Sequence, residues 1–284
     1  MLSIIIPAKN EAQPLEQLLP TLQACQADAE IIVVNDGSTD GTAAVCQRHA
    51  VTLVSHPYSM GNGAAIKSGA RTATGDVLVF MDADGQHRPE EIQTLLNKFD
   101  EGYDLVVGAR STSGQASVAR LAANSLYNKL ASWMTGHKVE DLTSGFRAVR
   151  ANKFREFLHL LPNGFSYPTT STMAFFRAGY AVCYVPIDVR QREGKSHISL
   201  TKDGIRFLLI IFKIGTLYSP LKLFLPISLL HALIGISYYG YTFISDGRFT
   251  NMSALLLSSA VIIFLIGLIS EQITMLLYQD KDRR

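Results

Sequence analysis

The stretch VLVFMDADGQH, Val77 to His87, decides how this chain is expected to fold. Five consecutive apolar residues run directly into two aspartates, Asp82 and Asp84, which are separated by one alanine. A short apolar run bounded by turn residues is typical of a strand that is buried on both faces of a sheet. Two neighbouring carboxylates repel each other unless a cation or hydrogen-bond donors compensate them. The stretch therefore predicts a buried strand with a binding site at its carboxyl end.

Similar apolar runs alternate with helical patterns up to residue 110. Strands are predicted at 2–7, 30–36, 51–56, 76–82 and 104–110, and helices at 11–25, from the GSTDGT segment to about 48, at 64–72 and at 89–99. This order predicts an α/β domain with a mostly parallel sheet covered by helices. Ligands bind beyond the carboxyl ends of the strands in such sheets, where Asn35–Asp36, Asp82–Asp84 and Gly108–Arg110 are all expected to lie.

The charge balance of the chain argues against one class of partner. Lys and Arg number 26 and Asp and Glu number 24, which gives a formal net charge of +2. A nucleic-acid-binding domain usually carries a concentrated basic face, so no nucleic-acid partner is expected. The three cysteines, Cys25, Cys46 and Cys183, form no CxxC pair, which argues against a zinc cluster or a disulfide framework and fits a reducing compartment.

Two long apolar runs occupy the last part of the chain. Leu223–Ile244 has no formal charge apart from a possible one on His231, and Ser253–Tyr278 contains one acid, Glu271. Because about 20 apolar residues span the hydrocarbon core of a bilayer, these runs predict a two-helix transmembrane hairpin over 223–284; two buried core helices are the alternative. Basic residues flank the hairpin at Lys202, Arg206, Lys213, Lys222, Lys281, Arg283 and Arg284. By the positive-inside rule, the α/β domain and both termini are expected in the cytoplasm.

Residues 199–222 connect the α/β domain to the predicted hairpin. Their pattern is strongly apolar and is interrupted by basic residues, which predicts an amphipathic helix that lies along the bilayer surface. A third, broken span is the alternative, although Arg206 and Lys213 would be costly in the middle of such a span.

Three interpretations of DADGQH compete. An EF-hand loop needs glycine at its sixth position, where His87 stands, and a helix rather than a strand before it, so it fails. An acidic surface turn is the plain structural alternative. The third is a divalent metal site, in which Asp82 and Asp84 form an incomplete oxygen cage for Mg²⁺ or Mn²⁺ that water and substrate phosphates complete.

The glycine-rich stretch MGNGAAIKSGA, residues 60–70, fits neither standard phosphate motif. A P-loop and a dinucleotide fingerprint starting at Gly61 both need glycine at position 66, where Ile66 stands. The glycines are expected to allow a tight loop near a nucleotide, and Lys67 is either a solvated helix residue or a phosphate contact.

Six motifs taken together resemble one family of enzymes. They are IPAKNE (6–11), VVNDGSTDGT (33–42), MDADGQH (81–87), VVGAR (106–110), VEDLTSGFRAVR (139–150) and REGKSH (192–197). Their order resembles that of family 2 glycosyltransferases of the Rossmann-like GT-A fold. Within that family the chain is most similar to polyprenyl-phosphate glycosyltransferases, such as dolichol-phosphate mannose synthases and their bacterial relatives with two-span tails. The resemblance covers the whole chain and implies a GT-A catalytic domain over 1–198.

The resemblance implies a role for each matching position. Those expected to contact the nucleotide are Pro7, Ala8, Glu11, Asp36 and Asp82. Those expected to hold the metal are Asp82, Asp84 and Gln86. Those expected to grip the acceptor phosphate are Arg110, Arg120, Asn124, Ser144 and Arg192, and catalysis is assigned to Asp84, Arg110 and Arg147.

Two positions depart from the family pattern, since Asn35 stands where an acid is common and His197 where lysine is usual. Neutral histidine is a weaker partner for an anion than lysine is. Plainer roles are also open for three residues. Arg110 at a strand end could cap an acid, Asp141 could cap the turn that follows it, and Trp133 could pack inside the fold or face a membrane.

The resemblance implies metal-dependent, inverting transfer of a hexose from a nucleotide-diphosphate sugar, of GDP-mannose or UDP-glucose type, to polyprenyl phosphate. The acceptor is undecaprenyl or dolichyl phosphate, and the cofactor is Mg²⁺ or Mn²⁺. Because a phosphate monoester is largely dianionic at neutral pH, no strong general base is required. The chain is then expected to be an integral protein of a bacterial inner membrane, and a homotetramer is one expected assembly.

Three other functions stay open. A processive polysaccharide synthase shares the fold, but the chain has no QxxRW-like motif. A non-catalytic membrane scaffold with a retained nucleotide fold would bind a sugar nucleotide without turnover. A glycosyltransferase with an acceptor other than a lipid phosphate would share the donor site.

Overall fold

The computed structural model describes residues 1–110, 118–164, 166–188, 212 and 215–279, without the side chains of 118–123 and 277–279. The chain divides into two compact units, Met1–His197 and Ile198–Arg284. Most of the predicted interfacial helix over 199–222 lies outside the described residues, as do Arg192 and His197. The roles predicted for these residues stay predictions.

The first unit alternates strands with helices. Its elements in chain order are β1 (Leu2–Ala8), α1 (Ala12–Cys25), β2 (Glu30–Asn35), α2 (Thr42–Arg48), β3 (Thr52–Ser55), α3 (Asn62–Thr72), β4 (Val77–Phe80), α4 (Glu91–Asp100), β5 (Leu105–Arg110), α5 (Val118–Thr135), β6 (Arg147–Arg150), α6 (Ala151–Glu156), α7 (Tyr167–Arg177) and β7 (Val182–Ile187).

The strands form one sheet in the order β3-β2-β1-β4-β6-β5-β7. Strand β1 pairs in parallel with β2 and β4, β2 pairs in parallel with β3, and β5 pairs in parallel with β7. Strand β6 runs antiparallel between β4 and β5. The mostly parallel α/β sheet predicted from the sequence is confirmed, and all five predicted strands are present.

The centre of the sheet is apolar on both faces. Ile4, Ile5 and Ile6 of β1 are fully buried, as are Leu78, Val79 and Phe80 of β4. Helix α1 covers one face with the leucines that recur at helical spacing, which are Leu15, Leu18, Leu19 and Leu22. Because successive side chains of a strand point to opposite faces, a strand covered on both sides has little room for polar residues before it ends. Polar chemistry is therefore concentrated in the loops after the strands.

The second unit is a pair of long helices, α8 (Pro220–Asp246) and α9 (Asn251–Gln279). The segments Pro220–Asp246 and Asn251–Leu276 are long and apolar enough to cross a membrane, with mean hydropathies of 1.6 and 2.6. The helices approach closely at glycine, since a Cβ added at Gly267 would stand 2.8 Å from the Cβ of Phe224. The carboxylate of Glu271 in α9 accepts a hydrogen bond of 3.3 Å from the backbone amide of Leu221. That amide lies in the first turn of α8, where backbone donors have no partner within the helix.

Candidate active site

A cavity of about 360 Å³ opens at the carboxyl edge of the sheet, where β1, β2 and β4 end side by side. It brings together residues that are far apart in the sequence but follow neighbouring strands. The lining residues are Pro7, Ala8, Lys9, Glu11, Asp36, Ser59, Gly61, Asn62, Ala65, Asp82, Ala83 and Asp84. Every residue predicted to contact a nucleotide is among them, together with both aspartates of the DADGQH stretch.

Hydrogen bonds between the loops after β1 and β2 stabilise one wall of this cavity. Asp40 accepts hydrogen bonds from the backbone amides of Ala12, at 3.1 Å, and of Thr42, at 3.0 Å. Ala12 and Thr42 are the first residues of helices α1 and α2, so a single carboxylate accepts from the first amide of both helices. The backbone amide of Thr39 donates to Oδ1 of Asn10 at 2.8 Å, and Asn10 has a left-handed φ of 57°. The two loops therefore form one hydrogen-bonded unit.

Asp36 follows β2 and is almost completely buried, with 4% of its surface exposed. Its Oδ1 accepts a hydrogen bond from the backbone amide of Met60 at 2.8 Å and faces Nδ1 of His56 at 2.7 Å. Its Oδ2 accepts from Oγ of Ser59 at 2.8 Å and from the backbone amide of Gly61 at 2.9 Å. A carboxylate has about four lone-pair sites, so these four contacts use its acceptor capacity. Asp36 therefore shapes the cavity by fixing the loop before α3.

The protonation state of Asp36 follows from these contacts. Burial alone would raise its pKa, but the hydrogen bonds from His56, Met60, Ser59 and Gly61 lower the pKa below its usual value. The carboxylate is therefore ionised at neutral pH. His56 continues the chain of contacts, because its Nε2 lies 2.9 Å from Oγ of Ser68 on α3.

The N-terminus of α3 is closed by another part of the chain. The backbone amide of Gly63 donates to the carbonyl of Gly164 at 3.1 Å, and that of Ala64 donates to the carbonyl of Asn163 at 2.9 Å. Lys67 donates to the carbonyl of Leu161 at 3.1 Å and to Oδ1 of Asn163. Lys67 is a partly exposed residue of α3, and its ammonium group ties the helix to the 161–163 loop. It is not among the residues that line the cavity, so a phosphate contact for Lys67 stays a prediction.

Asp82 and Asp84 follow β4 and line the cavity from the third side. The backbone amide of Gln86 donates to Oδ1 of Asp84 at 3.2 Å, and Gly85 adopts a left-handed φ of 71° that sets the turn. The side chain of Asp82 is 38% exposed, and its Oδ2 lies 3.7 Å from Nε2 of the buried His87. Gln86 follows the same turn but does not line the cavity.

The donor set of these two aspartates fits a hard divalent cation. Mg²⁺ and Mn²⁺ prefer oxygen ligands and commonly combine one or two carboxylates with substrate phosphates. Within the described residues, no group of three or more His, Cys, Asp and Glu side chains is arranged to hold a metal ion. A cation bound by Asp82 and Asp84 would therefore keep coordination positions that the protein does not fill. Substrate phosphates could occupy these positions.

Arg110 ends β5 and is bound to Asp141. Its Nε lies 2.8 Å from Oδ2 and its Nη2 lies 3.0 Å from Oδ1, and Nη2 also donates to Oγ1 of Thr143 at 2.6 Å. Burial would raise the pKa of Asp141, but the hydrogen bonds and the charge of Arg110 lower it. Burial would likewise lower the pKa of Arg110, whereas Asp141 and the more distant charge of Asp82 raise it. Arg110 therefore does bind an acid, and it lies within electrostatic reach of Asp82.

Arg147 has no exposed surface, and its guanidinium is surrounded by neutral acceptors. Nη1 donates to the carbonyl of Pro168 at 2.9 Å and to the hydroxyls of Ser171 and Thr172 at 2.9 and 3.1 Å. Nε donates to the carbonyl of Ser144 at 3.2 Å. Arg147 is not among the cavity-lining residues, so its position favours a role in holding the 144–147 segment and α7 together.

The remaining predicted site residues are distributed more widely. Ser144 is buried, and its Oγ has no hydrogen-bond partner within the described part of the chain. Asn124 is partly buried on α5, whereas only the backbone of Arg120 is described. Asn35, which departs from the family pattern, is buried and accepts a hydrogen bond from the backbone amide of Ser38 at 3.0 Å. Its side chain therefore stabilises the turn after β2.

Sequence reasoning missed several residues that organise the site. His56 is the partner of Asp36, and the only signal for it was its place directly after β3 at the same sheet edge. Asp141 accepts a hydrogen bond of 3.1 Å from the backbone amide of Thr143, as a cap of that turn would, but its pairing with Arg110 was not expected. Gly145 was unnoticed, and a Cβ there would stand 3.2 and 3.4 Å from the two carboxylate oxygens of Asp82.

Two family models match the chain in separate regions. The model described as Glycosyl transferase family 2 matches residues 3–158, more than half of the 284 residues. The model described as GtrB C-terminal hairpin matches residues 219–276, which include most of α8 and α9. This match and the two long apolar helices support association with a membrane.

Solved structures with the same fold include glucosyl-3-phosphoglycerate synthase from Mycobacterium tuberculosis. Its complex with Mn²⁺, UDP-glucose and phosphoglyceric acid has a TM-score of 0.60 and 22% identity, covering 76% of this chain and 78% of that chain. Its complex with Mn²⁺, UDP and glucosyl-3-phosphoglycerate has a TM-score of 0.59 and 23% identity, covering 74% and 79%. A structure described as a mycobacterial protein has a TM-score of 0.60 and 22% identity, covering 76% and 74%. At these identities the likeness establishes the fold.

Proposed function

The chain belongs to glycosyl transferase family 2, and on that premise we propose that it transfers a hexose from a nucleotide-diphosphate sugar to a polyprenyl phosphate in the membrane. One observation carries the donor half of this proposal. Asp82 and Asp84 line the same cavity as the loops after β1 and β2. A carboxylate pair beside a pocket of this size is suited to a cation-bound diphosphate.

The chemistry of the neighbouring fold supports Mg²⁺ or Mn²⁺ as the cofactor. The mycobacterial synthase was crystallised with Mn²⁺ and UDP-glucose, and the two aspartates here supply ligands of the type those ions prefer. Asp82 and Asp84 would hold the ion, with Gln86 on the turn beside them. A divalent cation bound there would offset the negative charge that develops on the departing diphosphate.

The hairpin supports a lipid acceptor. The tail matches the GtrB C-terminal hairpin model and contains two helices of membrane-spanning length. An enzyme anchored in this way never has to extract its acceptor from the bilayer, since only the phosphate head must reach the cavity. The basic residues on both flanks of the hairpin favour a topology with the transferase domain and both termini in the cytoplasm.

The proposed transfer is a displacement at the anomeric carbon. An oxygen of the acceptor phosphate forms the new bond to C1 as the bond between C1 and the diphosphate oxygen breaks, and the electron pair leaves with the nucleoside diphosphate. Attack from the opposite face inverts the anomeric centre. The phosphate monoester is already mostly dianionic at neutral pH, so the protein removes no proton.

The task of the protein is then to hold two anions close together. Arg110 suits this task, because Asp141 and Thr143 fix its Nε and Nη2 while its Nη1 has no hydrogen-bond acceptor among the described residues. A guanidinium stays charged and donates strong hydrogen bonds to phosphate, and Nη1 is the nitrogen of Arg110 that remains for this contact. Asp36 contributes by keeping the loop at Ser59 and Gly61 in place beside the donor cavity.

The test uses the full-length protein in proteoliposomes that contain polyprenyl phosphate. A panel of radiolabelled nucleotide sugars is supplied, and label is followed into the organic phase. We expect label from one donor to enter the lipid fraction, to be lost with EDTA and to return with Mn²⁺. Asp84→Asn should abolish the transfer, whereas Asp28→Asn, the same change at an exposed acid in the turn before β2, should leave it intact.

Three outcomes would contradict the proposal. Full transfer in metal-free buffer would exclude the role given to Asp82 and Asp84. Label that appears only in a water-soluble product would indicate another acceptor. Binding of sugar nucleotides with no turnover on any acceptor would indicate a scaffold.

A further inference from the structure

His87 closes the DADGQH stretch and is buried, with 5% of its side chain exposed. Its ring stacks on the fully buried Phe146, with 4.8 Å between the ring centroids and 12° between the planes. Within the described part of the chain, its Nδ1 has no hydrogen-bond partner. Its Nε2 lies 3.7 Å from Oδ2 of Asp82, which is longer than a hydrogen bond. Both nitrogens of this buried ring therefore lack a hydrogen bond to the described residues.

An unpaired nitrogen at this position costs stability. Buried polar side chains are nearly always hydrogen-bonded, so an exception calls for a cause. An apolar aromatic ring would also stack on Phe146 and would bring no nitrogen into the core. Packing therefore does not explain why position 87 carries an imidazole. The nitrogen that faces Asp82 offers an explanation, since Asp82 is one of the two carboxylates that line the cavity after β4.

Two consecutive residues, Gly145 and Phe146, set the space around both side chains. Phe146 supports the ring of His87, and Gly145 leaves room for Asp82, because a Cβ there would stand 3.2 Å from Oδ2 and 3.4 Å from Oδ1. The side chain of Asp82 is 38% exposed, so Asp82 is the partner that can move. A shift of about 0.8 Å would bring its Oδ2 to hydrogen-bond distance from Nε2 of His87.

We propose that His87 is a positioning residue for the divalent cation, and that its Nε2–H donates to Oδ2 of Asp82 when the cation is bound. This contact would hold one oxygen of the carboxylate and leave Oδ1 for the ion. Hydrogen bonds to a ligating carboxylate fix its orientation, and their loss typically weakens metal binding by about 10- to 100-fold. His87 acts here through Asp82, since no group of three or more His, Cys, Asp and Glu among the described residues is arranged to hold a metal ion. The role rests on the metal site of the proposed function and is independent of the sugar and the acceptor.

The test measures the binding of Mn²⁺ to the full-length protein by electron paramagnetic resonance, with no nucleotide sugar present. His87→Phe keeps a ring on Phe146 and removes both nitrogens. We expect it to bind Mn²⁺ about tenfold more weakly than the wild type. It should unfold at the same or a higher temperature, because a buried nitrogen without a partner is gone. A residue with a packing role alone would instead change the melting temperature and leave the affinity for Mn²⁺ unchanged.

His137→Phe is the matched control. The ring of His137 also stacks on a phenylalanine, with 5.0 Å between its centroid and that of Phe176 and 8° between the planes. His137 is exposed and is not among the residues that line the cavity. The control should therefore bind Mn²⁺ like the wild type.

Two amide variants show whether the donor at Nε2 is responsible. The side-chain nitrogen of glutamine can take the place of Nε2, whereas that of asparagine extends only as far as Nδ1. We expect His87→Gln to recover most of the affinity for Mn²⁺, and His87→Asn to bind as weakly as His87→Phe. This pair also carries the comparison if the phenylalanine variant does not fold. Equal affinities of the two amide variants would overturn the proposal.

Asp84→Asn reports on the metal site itself. If it binds Mn²⁺ as well as the wild type does, the proposed metal site is wrong and the role of His87 falls with it. If Asp84→Asn loses the ion while every His87 variant keeps it, the metal site stands and the role of His87 is refuted. A nitrogen coupling to bound Mn²⁺ in the spin-echo spectrum that disappears in His87→Phe would also refute it, because His87 would then be a ligand.

Discussion

Asp141 holds Arg110 through two parallel contacts, of 2.8 Å to Nε and 3.0 Å to Nη2. The pair joins the end of β5 to the segment that leads into β6. It fixes the plane of the guanidinium, so the two N–H bonds of Nη1 point in fixed directions. A flexible arginine would lose conformational entropy when it bound a phosphate, and an arginine held in this way has already lost most of it.

We therefore expect Asp141→Asn to impair transfer although Asp141 contacts no substrate in the proposed mechanism. The variant weakens a charge-assisted pair and should lower the free energy of unfolding by about 1–3 kcal/mol. It should also raise the KM for the acceptor phosphate more than that for the donor. Thermal unfolding and initial rates at varied acceptor concentration check both effects.

Glu140→Gln is the matched control for this prediction, since Glu140 is exposed and pairs with the exposed Lys138. Exposed pairs contribute about 0–1 kcal/mol, so this variant should resemble the wild type. Equal behaviour of Asp141→Asn and Glu140→Gln would mean that the Arg110 pair has no role in acceptor binding.

Asp36 should make stability depend on pH in the acid range. Its pKa in the folded protein is lowered by the hydrogen bonds it accepts, so it lies below the value near 3.9 that an unfolded chain has. The folded state is therefore favoured by this group above the unfolded pKa, and that contribution is lost as the pH falls from about 4 through the folded pKa. Asp36→Asn should flatten the dependence in this window, as measured by urea unfolding at several pH values.

The same variant should also weaken nucleotide binding at neutral pH. The side-chain amide nitrogen that the substitution introduces would face donors that the Asp36 carboxylate now satisfies, at a cost of about 1–3 kcal/mol. His56→Gln should have a smaller effect, because Met60, Ser59 and Gly61 would still donate to the carboxylate. Asp28→Asn is the exposed control and should change neither the pH dependence nor the affinity. Wild-type affinity in Asp36→Asn would refute the structural role assigned to Asp36.

Gly63→Ala separates two opposing effects of a methyl group. In a helix, alanine is more favourable than glycine by about 1 kcal/mol. At this position, however, the added Cβ would stand 2.0 Å from the carbonyl oxygen of Pro162, so the backbone must move. We expect the clash to dominate and to lower the free energy of unfolding by about 1–3 kcal/mol.

Gly164→Ala in the facing loop is the control for Gly63→Ala, because no atom of the described residues lies within 4 Å of its added Cβ. It should unfold like the wild type. If Gly63→Ala were equally stable, the contact between α3 and the 162–164 loop would be looser than its hydrogen bonds indicate.

Arg147→Lys distinguishes a structural from a catalytic arginine. Lysine carries the same charge but fewer donors, and it cannot reach the carbonyls and hydroxyls around the guanidinium simultaneously. We expect a loss of about 2–3 kcal/mol in stability, with residual activity in proportion to the folded fraction. Arg71→Lys, at an exposed arginine on α3, should be neutral. A normal melting temperature with abolished transfer would instead support the catalytic role that the family resemblance implies.

The strands and the cavity edge could be predicted because both follow from simple patterns. Buried parallel strands need unbroken apolar runs, and their carboxyl ends meet at one edge, so Asp36, Asp82 and Asp84 had to converge. Strand β6 could not be predicted, since it has four residues and begins and ends with arginine. Its antiparallel insertion between β4 and β5 depends on pairing between distant segments that no local pattern encodes.

Residue roles within the site were harder to predict than its position. Arginine is seldom fully buried, so nothing in the sequence marked Arg147 as a core residue. Nothing in the sequence marked the partners of Lys67 either, because its acceptors on Leu161 and Asn163 lie almost a hundred positions later in the chain. Partner choice is a property of the packed fold, and sequence spacing alone does not reveal it.

Gly145→Ala tests how closely the position of Asp82 is controlled. The added Cβ would stand 3.2 and 3.4 Å from the carboxylate oxygens of Asp82 and 3.4 Å from Oη of Tyr167. At these distances the neighbouring side chain has to move by a few tenths of an ångström. Since Asp82 is 38% exposed, it can move towards the cavity.

We therefore expect Gly145→Ala to keep its melting temperature while losing affinity for Mn²⁺ and turnover together. A shift of about 1 Å in a reacting group can cost about 100-fold in rate, so a smaller displacement should cost roughly tenfold. Binding of Mn²⁺ to the full-length protein, followed by electron paramagnetic resonance, gives a readout that does not depend on activity. Gly164→Ala serves again as the control. Unchanged Mn²⁺ affinity in Gly145→Ala would mean that Asp82 is not held against this glycine when the cation is bound.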